Sequence, residues 1–173
     1  MQYCIIIKGP SAVGKTVVTR KLVKRLSQHQ KMAVIPGDYL AHLVEQCNFT
    51  EEQLDLKYEN MLLLIGNLLR HGYNLIINDL FRRVKDLDAV VAEVKKYVNV
   101  LLIFELTAPF EVLSQRNRSR DALDYINESR LRELQEICEG IHHINEVIVD
   151  TASHNIEETV DLILEKLTAF QKA

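Results

Sequence analysis

Residues 5–16 read IIIKGPSAVGKT: an apolar run, then from Gly9 to Thr16 the spacing G-x-x-x-x-G-K-T. This stretch limits the possible folds more than any other. Its two glycines open backbone conformations that a side chain would block. The loop can then curve its N–H groups around an anion. A helix starting where the loop ends adds unpaired N–H groups and the positive end of its dipole. In a phosphate-binding loop of this kind Lys15 reaches the outer phosphates and the Thr16 hydroxyl ligates Mg2+. Gly9, Ser11, Ala12, Val13, Gly14 and Val17 supply the rest of the cradle.

The flanks agree with the motif. Tyr3 to Lys8, YCIIIK, is rich in β-branched residues and predicts a buried strand. After Thr16, Val18, Leu22 and Leu26 recur at four-residue spacing, which predicts a helix. The alternative, a glycine turn that holds nothing, does not account for this strand–loop–helix setting.

With 173 residues the chain is expected to form a single domain over 1–173. Its 47% hydrophobic and 26% charged residues are ordinary for a globular domain with a real core. A net charge of −3 offers no global attraction to nucleic acid or an anionic membrane. Cys4, Cys47 and Cys138 form no C-x-x-C pair, which suggests a reducing compartment. No apolar run reaches the length that spans a bilayer, and no signal peptide is read before the first strand. Cytoplasm is the expected location, where the glycosylation patterns at Asn48, Asn117 and Asn127 are inert.

Strand-like and helix-like segments alternate along the whole chain. MAVIP (Met32 to Pro36) predicts a second strand, followed by a helical piece, YLAHLVEQ. Thr50 and Gln53 have the spacing of a capping box, opening a long helix to about Arg70. Tyr73 to Asp79, Asn99 to Leu106 and Glu146 to Asp150 predict three more strands. Helices are predicted over Asp86 to Tyr97, from near Pro109, over Asp121 to Glu139, and from Ile156 onward. Five apolar strands separated by helices predict an α/β fold, a three-layer arrangement with a five-stranded parallel sheet.

In such sheets the ligand sits beyond the carboxyl ends of the strands. Strand two ends at Gly37-Asp38, strand three at Asn78-Asp79, strand five at Asp150-Thr151. A carboxylate beside phosphates needs a task. It can hold Mg2+ or its water, or it can take the proton of an attacking hydroxyl. Asp79 ends an apolar strand, which is the pattern of the metal side. Asp38 is the candidate general base, and a plain helix cap is the alternative. Glu105 receives no role.

SQRNRSRD (Ser114 to Asp121) carries Arg116, Arg118 and Arg120 in a polar stretch between helices. Phosphoryl transfer spreads negative charge, and arginine answers it with a planar, permanent cation. Arg116 and Arg120 are therefore candidates for a lid over about 114–122. Arg82 and Arg83 either grip an anionic acceptor or are surface charge, and His42 either lines the acceptor pocket or is bland. Arg20, Lys21, Lys24 and Arg25 predict a solvated helix face. His142 and His143 are adjacent, do not share a helix face, and are read as surface residues.

GPSAVGKT, the GD after strand two, the IIND strand end and the R-x-x-x-R of Arg116 and Arg120 together resemble the small P-loop kinases. The resemblance covers essentially the whole chain. It is to chloramphenicol phosphotransferase, adenylylsulfate kinase, gluconate kinase and the kinase half of polynucleotide kinase. It implies a nucleotide-kinase-like sheet and Mg-ATP as donor. It also implies an acceptor-contacting aspartate at Asp38, a lid arginine pair, and adenine packed near Thr151 to Asn155. There are departures. Ala41 and His42 stand where adenylylsulfate and polynucleotide kinases usually have an arginine. DLFRR (Asp79 to Arg83) echoes the D-G-F-P-R of nucleoside monophosphate kinases without its glycine and proline. Asp121-Ala122-Leu123 follows the arginine pair where gluconate kinases tend to show histidine and phenylalanine.

The expected activity is transfer of the γ-phosphoryl group of ATP to a hydroxyl of a small molecule. A nucleoside or nucleoside monophosphate kinase is the alternative, and a non-catalytic nucleotide-binding regulator the second. The guanine-reading N-K-x-D and the D-x-x-G of GTPases are both missing, which counts against the last.

Overall fold

The computed structural model describes residues 2–44, 48–122 and 124–172, with side chains described through Phe170. Along the chain come β1 (Tyr3–Lys8), α1 (Lys15–Leu26), β2 (Met32–Pro36), α2 (Gly37–Ala41), α3 (Glu51–Arg70) and β3 (Asn74–Asn78). They are followed by α4 (Val84–Lys95), β4 (Val100–Thr107), α5 (Phe110–Arg118), α6 (Glu128–Glu139), β5 (Glu146–Asp150) and α7 (Ile156–Lys172). All five strands pair in parallel in the order β2-β3-β1-β4-β5. The three-layer α/β reading holds.

β1 is central, with Ile5 opposite Ile76 of β3 and Leu102 of β4. Its side chains alternate between two cores. Tyr3, Ile5 and Ile7 pack with Val18 and Leu22 of α1 and Val160, Ile163 and Leu167 of α7. Cys4 and Ile6 pack with Tyr58, Met61 and Ile65 of α3 and Leu87, Val90 and Val94 of α4. Each such buried side chain contributes about 1.5–3 kcal/mol of transfer free energy. Burial on both faces explains why the central strands are apolar without a break.

α3 starts where its capping box predicts. The Gln53 N–H donates to Thr50 Oγ1 and the Thr50 N–H to Gln53 Oε1, both at 3.3 Å. The basic face of α1 is partly engaged, since Lys21 pairs with Glu157 and Arg25 with Glu157 and Asp161 on α7.

Two boundaries differ from the sequence reading. α5 continues through Arg118, so the first half of the expected 114–122 lid is helix. α6 begins at Glu128 instead of Asp121. Asn127 caps it, accepting from the Arg130 N–H at 2.9 Å. Asn117 grips both backbone groups of Ile126, its Nδ2 donating at 2.5 Å and its Oδ1 accepting at 3.2 Å. These contacts hold the preceding segment in a loop. α2 ends at Ala41, and Glu45, Gln46 and Cys47, expected to continue the helical piece, lie outside the described residues. Among the described residues no helix is long and apolar enough to cross a membrane.

Candidate phosphoryl-transfer site

The glycine loop joins β1 to α1 as its spacing requires. Gly9 has φ 142°, and a Cβ there would lie 2.3 Å from the Leu106 carbonyl oxygen. Only glycine lets the loop pass so close to β4. Gly14 caps α1 with φ 110°, and Ala12 also takes a left-handed φ of 64°. Left-handed turns of this kind are the backbone setting in which successive N–H groups can converge on an anion. Lys15 folds back over the loop, its Nζ donating to the carbonyls of Gly9 at 2.8 Å and Pro10 at 2.9 Å. Burial lowers its pKa, and the nearby Asp38, Cys138 and Asp79 oppose that shift. A phosphate oxygen, carrying full charge, is a stronger partner for the ammonium than two carbonyls.

The loop forms one wall of a cavity of about 610 Å³. Asp38, Arg116 and Arg120 line the other sides, with Thr151 and the turn leading into α7. Arg116 donates to Thr151 Oγ1 at 2.9 Å, to the Thr151 carbonyl at 2.7 Å and to the Val13 carbonyl at 3.3 Å. It therefore ties α5 to both the glycine loop and the end of β5. Arg120 is exposed and donates only to the Asp124 carbonyl, at 3.2 Å, which leaves most of its fork open. Asp38 is exposed and is the second residue of α2. The cap position falls on Pro36, with no side-chain capping bond, so a plain cap does not describe Asp38.

Asp79 has a different setting. It is fully buried at the end of β3. Lys57 Nζ reaches its two oxygens at 2.7 and 3.0 Å, and the Tyr58 hydroxyl donates to Oδ2 at 2.7 Å. A Cβ on Gly37 would sit 2.3 Å from Asp79 Oδ1, so the turn carrying Asp38 rests directly on this carboxylate. For Mg2+ the exposed Thr16 hydroxyl, at the cavity wall, fits as a ligand, because the ion needs few protein ligands and keeps its water. Asp79, the other residue read for the metal side, is buried and already accepts from Lys57 and Tyr58.

The two arginines after Asp79 separate. Arg83 is tied up: Nε and Nη2 bind Asp86 at 2.7 and 2.9 Å, Nη1 binds Glu51 at 2.6 Å, and Nη2 is 2.9 Å from Asp55. Arg82 lies over the Phe49 ring, 3.9 Å from its centroid. His42 is exposed at the end of α2 and lies outside the cavity lining.

Sequence reasoning missed Lys57. Its signal was present, since Leu54, Lys57, Tyr58, Met61 and Ile65 form the core-facing stripe of α3 and a lysine there needs a buried partner. It also missed the ionic cluster behind the glycine loop. Lys8 is 2% exposed and sits 2.8 Å from Glu105 and 3.1 Å from Glu146. His142, read as surface, is exposed but bonds Glu146 at 3.0 Å.

The fold and the site define a P-loop nucleotide-binding protein with the architecture of the small P-loop kinases. The chain belongs to the AAA domain family AAA_33, whose model matches residues 4–141. Solved structures share the fold at low identity. A sugar kinase from Janibacter sp. HTCC2649 superposes with a TM-score of 0.75 at 15% identity, over 97% of this chain and 95% of its own. A tunicamycin resistance protein from Deinococcus radiodurans gives 0.68 at 19% identity, over 96% of each chain. A gluconokinase from Sinorhizobium meliloti 1021 gives 0.67 at 18%, over 98% and 97%. No curated protein matches the sequence significantly.

Proposed function

We propose that the protein is an ATP-dependent kinase that moves the γ-phosphoryl group to a hydroxyl of a small molecule. One observation carries this reading: an exposed carboxylate, Asp38, shares a cavity with the glycine loop, Lys15 and two arginines. A site that only held nucleotide would gain repulsion from that carboxylate. A site that deprotonates an incoming hydroxyl requires it. The names of the sugar kinase and gluconokinase neighbours support a hydroxyl acceptor.

Each part has a task. The loop N–H groups and Lys15 hold the phosphates, and Lys15 moves from the Gly9 and Pro10 carbonyls to the outer ones. Asp38 takes the hydroxyl proton as the oxygen attacks. Arg120 closes over the equatorial oxygens. Arg116, braced on Thr151, holds the lid helix and borders the base side of the cavity. Mg2+, with Thr16 as protein ligand, would neutralise charge between the outer phosphates.

The test is label transfer from γ-labelled ATP into fractionated metabolites, a nucleoside and nucleotide panel, and an oligonucleotide. Label should enter one acceptor class. Lys15→Ala should lower the rate about 100-fold or more, and Asp38→Asn about 100- to 10,000-fold. Full-rate transfer by Asp38→Asn would remove Asp38 as the base. Tight ATP binding with no transfer to any acceptor would favour the regulator instead.

A further inference from the structure

We propose that the outer face of α3 is a homodimer interface, on which α3 packs antiparallel against the same helix of a second copy of the chain. Glu52, Leu56, Glu59, Leu63, Gly66 and Arg70 follow one another at 4-3-4-3-4 spacing. That is the alternation of a coiled-coil seam, and it sets all six along one side of the helix. The core-facing stripe of Leu54, Tyr58, Met61 and Ile65 is a different one. Leu63 is 72% exposed and Leu56 44%, so both leucines of the seam stand in water.

A notch lies beside the exposed Leu63. It measures about 420 Å³, with Gly66 as its floor and Leu62, Arg70 and Glu93 among its walls. A Cβ on Gly66 would sit 3.0 Å from the Tyr97 hydroxyl, tighter than ordinary contact, so this position stays free of a side chain and the notch belongs to the fold. A protruding leucine one turn from a notch makes the surface complementary to itself. Under a two-fold axis each Leu63 enters the notch of the other copy, which is the closed, isologous arrangement of symmetric dimers.

The charges select the same register. Setting Leu63 opposite the partner's Gly66 sets Glu59 opposite the partner's Arg70, because 59 and 70 have the same sum as 63 and 66. Leu56 then lies at the end of the partner's α3. Glu59 and Arg70 are exposed, and among the described residues neither has an ion-pair partner. Arg70 donates to the Tyr97 hydroxyl at 3.2 Å and lies against that ring, which steadies the guanidinium and leaves the rest of its fork open. Parallel helices would set Glu59 against Glu59 and Arg70 against Arg70, so the seam favours the antiparallel pair and disfavours the alternative. One helix face with the end of α4 is a small contact, at the low end of the ~1,200–2,000 Å² that stable pairs bury, so the dimer dissociates on dilution. The nucleotide cavity is lined from α1, α5 and α7, and α3 packs on the opposite face of the sheet from α1 and α7.

The test is analytical ultracentrifugation of the full chain over a wide range of concentration. The wild type should pass from monomer to dimer as concentration rises. Leu63→Glu should stay monomeric throughout and keep the wild-type circular dichroism, since so exposed a side chain does little for the monomer. Glu59→Arg and Arg70→Glu, each checked as folded by circular dichroism, should each raise the dissociation constant about 10-fold or more, because each sets like charges face to face at both ends of the seam. Mixing these two single variants should restore a dimer, since the mixed pair again sets opposite charges face to face. A wild type that remains monomeric, a dimer that survives Leu63→Glu, or folded single variants that do not pair when mixed would overturn the proposal.

Discussion

Lys57 and Asp79 depend on each other. The lysine is 4% exposed and the carboxylate is fully buried, so each is the other's only charged partner at hydrogen-bond distance among the described residues. Removing one side of such a pair leaves an uncompensated buried charge. Lys57→Met should therefore cost about 3–5 kcal/mol in urea denaturation, and adding Asp79→Asn should recover much of it. Asp79 was legible because a carboxylate ending an apolar strand stands out. Lys57 was not, because its partner lies 22 residues away and only the folded chain brings them together. The glycine loop was legible residue by residue, since its roles are local and fixed by spacing. Arg82 and Arg83 are adjacent and chemically identical, and tertiary contacts alone divide their roles.

Among the elements, the ends of β1, β4 and β5 share one ionic cluster: Lys8, Glu105, Glu146 and His142. The hydrogen bond to Glu146 raises the His142 pKa above its ordinary 6.5. A raised folded-state value gives stability that is complete below the unfolded pKa and lost as pH rises through the folded one. Burial raises Glu105 above 4.5, which likewise favours the folded state on acidification. Glu146 is lowered: burial pushes it up, but bonds from His142, Glu105 and Lys8 outweigh that, so its contribution is present above 4.5 and lost as pH falls through the lowered value. The melting temperature should thus rise as pH falls from about 8 to about 6, around the histidine range, and His142→Gln should flatten the rise. The cluster escaped the sequence because Lys8, Glu105 and the His142–Glu146 pair lie far apart from one another along the chain. Element boundaries tell the same story. α3 carries its own start signal in the Thr50–Gln53 box, whereas α6 starts late because Asn117, on another helix, holds Ile126.

For the whole molecule, the alternation of apolar strands and helices was enough to fix the layers, because a parallel sheet has to be covered on both faces. The strand order was not written there, since the alternation alone does not say which strands are neighbours. The order matters because it puts the β1 loop beside the ends of β3 and β4, and so opposite Asp38 and Arg116. A ligand bridging these parts links α1, α2, α5 and the start of α7. ATP at about 100 times its Kd should raise the melting temperature by roughly 5–10 °C, and Lys15→Ala should lose most of that shift. The central place of β1 also bears on how the chain is made. Tyr3 meets Asn74, its first neighbour across the sheet, 71 residues later. At about 5–20 residues per second the ribosome leaves YCIII without a partner for roughly 4–14 seconds. This β-prone segment therefore emerges well before either of the strands that shelter it, β3 and β4. Early chaperone capture, or a slower approach to the native state than the modest size suggests, is built into the topology that creates the site.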